Sequence, residues 1–163
     1  MEIDLTSIII GLAALSTFFV PIGLYQISQK QIIKKAKTTF DAATQKNRLQ
    51  IDQMEIIRNG VGIGIDLQQQ IMLHVRNGTE TLTDLKNVAG CKFFKDHRKN
   101  IPGNDNGSYY QEMGIQIIFP GSQSRELKLL FFEGKEGNTF GDEEVIIHRW
   151  VKNINSVLKT KIL

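Results

Sequence analysis

The residue types able to do chemistry are few in this chain and widely scattered. Cys91 is the single cysteine, and the histidines are His74, His97 and His148. A thiolate nucleophile needs a base held beside it, and a structural zinc site needs four Cys or His ligands at close spacing. No two of these histidines stand as HxxxH or HExxH, so neither chemistry is expected, and one cysteine permits no intrachain disulfide. The run VGIGID places Gly62 and Gly64 two residues apart. A phosphate-cradling loop would open a helix, whereas this run alternates as a strand and continues into Leu67-Gln68-Gln69-Gln70. Asp66 therefore reads as a turn residue, Cys91 as core, and His74 and His148 as structural. With no GxSxG elbow and no paired-carboxylate signature, the chain is expected not to be an enzyme and to take no cofactor or metal.

What remains is charge. Lys30, Lys34, Lys35 and Lys37 form one basic cluster, and Lys92, Lys95, Arg98 and Lys99, with His97 among them, form another. Lysine and arginine pair with phosphates, so both clusters are candidate contacts for an anionic lipid. The first has a plainer use as a topology determinant beside a membrane segment, and the second as a solvated edge that discourages strand pairing. The net charge of +3 is unevenly spread: residues 1–29 carry −2, residues 30–59 carry +4 and residues 60–163 carry +1. A nearly neutral folded region does not suit nucleic-acid binding, which needs a basic face on the domain itself.

The elements that would position these groups begin with residues 5–29, LTSIIIGLAALSTFFVPIGLYQISQ, a run of 25 residues with no charge. About 20 apolar residues suffice for a helix to cross a bilayer, so a transmembrane helix is expected over 5–29, bent at Pro21. The preceding Met1-Glu2-Ile3-Asp4 has no base, unlike a cleaved export signal. The lysines that follow put the C-terminal side in the cytoplasm by the positive-inside rule, with residues 1–4 outside. The expected location is the cell (inner) membrane, with a single pass.

Residues 30–59 contain no glycine or proline before Asn59-Gly60 and are expected to continue as a helical juxtamembrane linker. A diluted heptad, Ile33, Phe40, Asn47 and Met54, leaves room for weak homo-oligomerisation, but packing of Phe40, Leu49, Met54 and Ile57 on the chain's own domain is the expectation. From residue 60 the period changes to two. VGIGID and IMLHVR read as half-buried strands, and Asn77-Gly78 reads as a type I′ hairpin turn returning through TETLTDLK. Further strands are expected over residues 88–98, 109–119 and 125–134, separated by the loops IPGNDNG and GKEGNTFG. Last comes DEEVIIHRWVKNINSVLKTKI, with acids at its start, lysines at its end and an apolar stripe of Ile147, Trp150, Val151, Ile154, Val157 and Leu158. This is expected to be an amphipathic helix over 142–160, with Trp150 as its structural anchor.

Six or seven antiparallel strands followed by EEVIIHRWVKNINSVL resemble the pleckstrin-homology-like (PH-like) fold, whose capping helix carries a buried tryptophan. With the apolar run in front, GIGIDLQQQIMLHVRNG looks like a group of small bacterial membrane proteins that bear a PH-like cytoplasmic domain. The resemblance implies an α+β chain in which a β-barrel over residues 60–163 is capped by the C-terminal helix. Many PH domains hold phosphoinositides through bases around the first strand and its loop, but Leu67-Gln68-Gln69-Gln70 offers none, so that property is not implied. The expected function is a membrane-tethered binding or scaffolding module. Its partners would be the bilayer through residues 5–29 and a protein at the membrane, with no nucleic acid. Two alternatives stay open, an exported-domain subunit of an envelope complex and an anionic-lipid-sensing domain.

Overall fold

A computed structural model describes residues 5–98, 110–121, 126–135 and 142–160, with the backbone alone for residues 5–14, Ser16, Phe18, Arg98, Tyr110 and Lys135. The expected N-terminal segment 1–4, the loop IPGNDNG, Lys99 and most of GKEGNTFG lie outside the described residues. Helix α1 runs unbroken over Leu5–Lys46, 42 residues with Pro21 inside. Much of the expected membrane span falls on side chains outside the described ones, and among the described residues no helix is long and apolar enough to cross a membrane.

The expected linker helix stops twelve residues short of Arg58, and what stops it is neither glycine nor proline. Arg48 takes a left-handed conformation, φ 52°. Its N–H bonds the Gln45 carbonyl at 3.1 Å, and the Leu49 N–H bonds the Thr44 carbonyl at 3.0 Å. These two bonds make a Schellman closure, and Leu49 completes it by burying itself with Ala43 and Phe40. The chain then turns back into a strand where helix was expected. So the sheet begins at Gln53 rather than at residue 60.

Seven strands follow: β1 Gln53–Ile56, β2 Gly62–Asp66, β3 Ile71–Arg76, β4 Thr79–Asp84, β5 Gly90–Arg98, β6 Tyr110–Ile118 and β7 Glu126–Lys135, and then helix α2, Glu143–Thr160. They do not close into the expected barrel. They form two antiparallel sheets, β1-β2-β3-β4 and β5-β6-β7. The hairpin turn is as the sequence reads: Asn77 and Gly78 both have positive φ, 50° and 81°, and Arg76 pairs with Thr79. Between the sheets the chain crosses on one 3₁₀ turn, Leu85–Asn87, capped by the Asp84 carboxylate on the Lys86 N–H at 2.9 Å.

Two apolar clusters hold the layers together. Val61, just before β2, and Ile63, Ile65 and Met72 of the first sheet meet Met113, Ile115, Ile117, Leu129 and Phe131 of the second, and Ile147, Trp150, Ile154 and Leu158 of α2 close that core. On the opposite face of the first sheet, Leu73 and Val75 pack under Phe40 and Ala43 of α1. That second cover is why β2 is buried along its whole length and β3 through Met72–Val75, where single-sided burial was expected.

Candidate binding surfaces

The joint between α1 and the first sheet is made by what Gly62 and Gly64 lack. A Cβ on Gly62 would stand 2.8 Å from the Phe40 ring and one on Gly64 would stand 2.7 Å from it. The glycines thus give the ring a flat floor, a use that explains the VGIGID spacing without any phosphate. Phe40 itself is 1% exposed. Because Gly60 approaches Ile32 and Gly62 approaches Phe40, the β1–β2 turn lies beside the turns of α1 around residues 32–40. The bases of that stretch, Lys30, Lys34, Lys35 and Lys37, are exposed, and among the described residues no carboxylate lies within ion-pair distance of them. Lys35 borders a groove of about 340 Å³ against Asn59-Gly60 and Asn77-Gly78. Lys30 borders another with Arg58.

Farther toward the N-terminus the described side chains of α1 are exposed. Leu15, Phe19, Val20, Ile22, Leu24, Tyr25 and Ile27 are each about half or more exposed. At 100° per residue these positions surround the helix rather than forming one stripe.

Helix α2 is fixed to both sheets. Trp150 is 3% exposed, and its indole N–H donates to Glu55 Oε2 of β1 at 2.7 Å while Arg149 reaches Glu55 Oε1 at 2.5 Å. Against the second sheet, Asn155 treats β5 as a partner strand would. Its amide donates to the Cys91 carbonyl at 2.9 Å and accepts from the Cys91 N–H at 3.1 Å. Cys91 therefore points its backbone groups away from β6. By the two-residue period of an antiparallel ladder, Phe93, Lys95 and His97 point theirs the same way. Among the described residues these have no backbone partner, so β5 is a nine-residue edge whose main chain α2 bonds only at Cys91.

The second basic cluster is split by the same period. Lys95 faces α2 and pairs with Glu144 at 3.0 Å, next to Phe93, whose ring lies 4.5 Å from that of His148. Lys92 is exposed on the other face. There Lys128 takes Asp96 at 2.6 Å and sits 4.9 Å over the Phe94 ring. The backbone of Arg98 ends β5, and Lys99 lies outside the described residues. The two bases with described side chains, Lys92 and Lys95, thus lie on opposite faces of β5.

The remaining titratable groups are built for structure. Burial pushes the Cys91 thiol up to about 12 against the opposing effect of the Asn155 backbone N–H, so the thiolate is absent at neutral pH. Burial also raises Asp66, but the N–H groups of Gln69, Gln50 and Gln68 outweigh it and hold the carboxyl below its usual range. The Gln50 and Gln69 bonds are both 2.7 Å. Among the described residues no three His, Cys, Asp or Glu side chains gather in a way that could hold a metal ion.

His74 faces the inter-sheet core, its Nε2 3.2 Å from the Leu130 carbonyl and its ring 5.3 Å from that of Phe131. Burial first, and then Arg76, lower it from 6.5 to about 4, against the raising effect of the Leu130 bond. The unfolded chain takes up this proton below about 6.5 and the folded chain only near 4, so stability is full above 6.5 and falls as pH drops through that window. Between pH 7 and pH 5 the full-length chain is expected to lose on the order of 2 kcal/mol through His74. His74→Gln, which keeps a donor for Leu130, should flatten the slope, and identical pH dependence of urea unfolding for the two proteins would refute this role.

Two residues central to these surfaces, Glu55 and Asn155, carried no sequence signal of their own, and Arg58 had only a local cue, standing just before the Asn59-Gly60 turn. No protein-family model, no curated protein and no solved structure matches the chain.

Proposed function

We propose that this chain is a membrane-tethered PH-like module that binds or positions a protein at the cytoplasmic membrane surface without catalysing a reaction. The observation that carries the reading is the stretch of α1 over residues 15–27, where the described large apolar side chains are exposed all round the helix. A soluble chain does not leave such a surface uncovered. Cover on every side suits lipid better than a groove on one partner, and the run of 25 uncharged residues has the length to span. The lysines beyond it favour a cytoplasmic domain. The order of four strands, three strands and a tryptophan-bearing helix supports the PH-like resemblance.

The mechanism is tethering, which raises the effective concentration of domain and partner for each other. Since Phe40 packs the continuing helix onto the first sheet, the leash is short and stiff. The partner's mode of contact is strand addition at the open edge of β5, beside α2. The outward N–H and C=O groups of Phe93, Lys95 and His97 would supply the main-chain bonds.

The test places a photo-crosslinking residue at His97 in the full-length chain expressed in its host membrane. Protein adducts are expected there, and they should vanish in Lys95→Pro, which removes one outward N–H without touching the β6 ladder. They should persist in Lys95→Gln, which removes only the ion pair with Glu144. Adducts unchanged by the proline would overturn edge addition. A reporter after Leu163 that works only outside the cytoplasm would favour the envelope-subunit alternative.

A further inference from the structure

The β1–β2 turn and α1 enclose a pocket of about 290 Å³ lined by Tyr25, Gln26, Gln29, Lys30, Ile33 and Arg58. We propose that this pocket binds the phosphodiester headgroup of an anionic phospholipid, one molecule per chain. The inference rests on the reading of residues 5–29 as a membrane span and names a ligand for the joint between span and domain.

Charge sets the chemistry. Lys30 has no acidic partner among the described residues. Arg58 has Asp142 at 3.9 Å, beyond the 2.7–2.9 Å of a charge-assisted hydrogen bond. Two cations and one carboxylate leave one positive charge, the complement of a phosphodiester's single negative charge. Arg58 keeps most of its five donors for a planar, two-oxygen grip. In the wall, Gln29 Oε1 is buried with no hydrogen-bond partner, so the pocket holds an acceptor that a hydroxyl-bearing headgroup such as phosphoglycerol would satisfy after a turn of that amide.

Position sets the source. At about 1.5 Å per residue, Lys30 stands only about 8 Å along the helix from Tyr25, at the level where an apolar span gives way to headgroups. Ile22 and Phe19, both exposed and on the same helix face as Tyr25, Gln26 and Gln29, offer apolar surface beside the pocket for acyl chains. A soluble phosphate would gain nothing from that surface. The pair Lys30 and Arg58 joins two segments 28 residues apart in sequence, so the ligand would bridge anchor and domain and hold them in one orientation.

The experiment counts lipids retained by the full-length chain in non-ionic micelles, by native mass spectrometry, with phosphatidylglycerol and phosphatidylcholine of the same acyl chains. One phosphatidylglycerol per chain is expected, with no phosphatidylcholine. Lys30→Gln and Arg58→Gln should each weaken retention about tenfold, the worth of one charge-assisted bond, while Lys37→Gln, outside the pocket, should change it less than about twofold. All three sites are exposed, and unchanged circular dichroism checks folding. Equal retention of both lipids, or equal loss in Lys37→Gln, overturns the pocket. Displacement by inorganic phosphate at matched concentration overturns the lipid source. Carbonate extraction of native membranes separates the two readings: release of the chain overturns the membrane span and the lipid with it, whereas retention together with equal lipid counts overturns the pocket alone.

Discussion

Trp150→Ala is expected to destabilise the domain by about 3 to 5 kcal/mol, the usual cost of truncating a buried tryptophan. The side chain sits where α2 meets both sheets, within the cluster of Ile147, Ile154, Ile115 and Phe131. Truncation leaves a cavity there and also strands Glu55, whose Oε2 loses the indole N–H at 2.7 Å. Glu55 keeps Arg149, so the polar share of the loss is the smaller one. Glu55→Gln measures it separately and should cost about 1 kcal/mol. For a domain of this size a few kcal/mol lowers the melting temperature by roughly 15 °C or more. Urea unfolding followed by circular dichroism, which does not depend on the lost fluorophore, provides the check. A change below about 1 kcal/mol would mean that α2 is not held through this residue.

Phe40→Ala is expected to cost about as much, roughly 3 to 5 kcal/mol, but with a different consequence. Phe40 anchors α1 rather than α2, lying on the bare backbone of Gly62 and Gly64 and against Leu73 and Val75. Its loss should free residues 30–46 from the first sheet while leaving the inter-sheet core intact. Hydrogen exchange distinguishes the cases: in Phe40→Ala protection should fall in the second half of α1 and in β1, whereas in Trp150→Ala it should fall in α2 and β5. Equal protection of α1 in wild type and Phe40→Ala would refute the docking, and with it the stiff leash. Gly64→Val tests the same contact from the other side. Its Cβ would meet Phe40 at 2.7 Å, Ile51 at 2.9 Å and the Gln53 carbonyl at 3.0 Å, so it should release α1 as Phe40→Ala does.

These two residues also mark how legible the chain was. Trp150 was identified as an anchor because the 3.6-residue stripe around it is strong and its helix has acids first and lysines last, all of it local information. The outcome agrees: α2 covers Glu143–Thr160 and buries Ile147, Trp150, Ile154 and Leu158. Phe40 was assigned to packing but its site was hidden, because nothing in a strand's own alternation says that glycines on the far face await a ring 22 residues earlier in the chain. Lys92 and Lys95 share a strand, and their odd separation already puts them on opposite faces of it.

The sequence by itself determined the elements whose causes are local: the apolar run, the Asn77-Gly78 hairpin, the alternating strands and the amphipathic C-terminal helix. Tertiary structure decided the rest. It ended α1 at Lys46, since Arg48 can take a left-handed conformation when Leu49 gains burial for it, a long-range compensation that substitutes for glycine. It divided seven strands into sheets of four and three, because a period of two records which side chains share a face but not which strands pair. And it brought Arg58 to Lys30, since charges far apart in sequence become one site only when packing closes the distance between them.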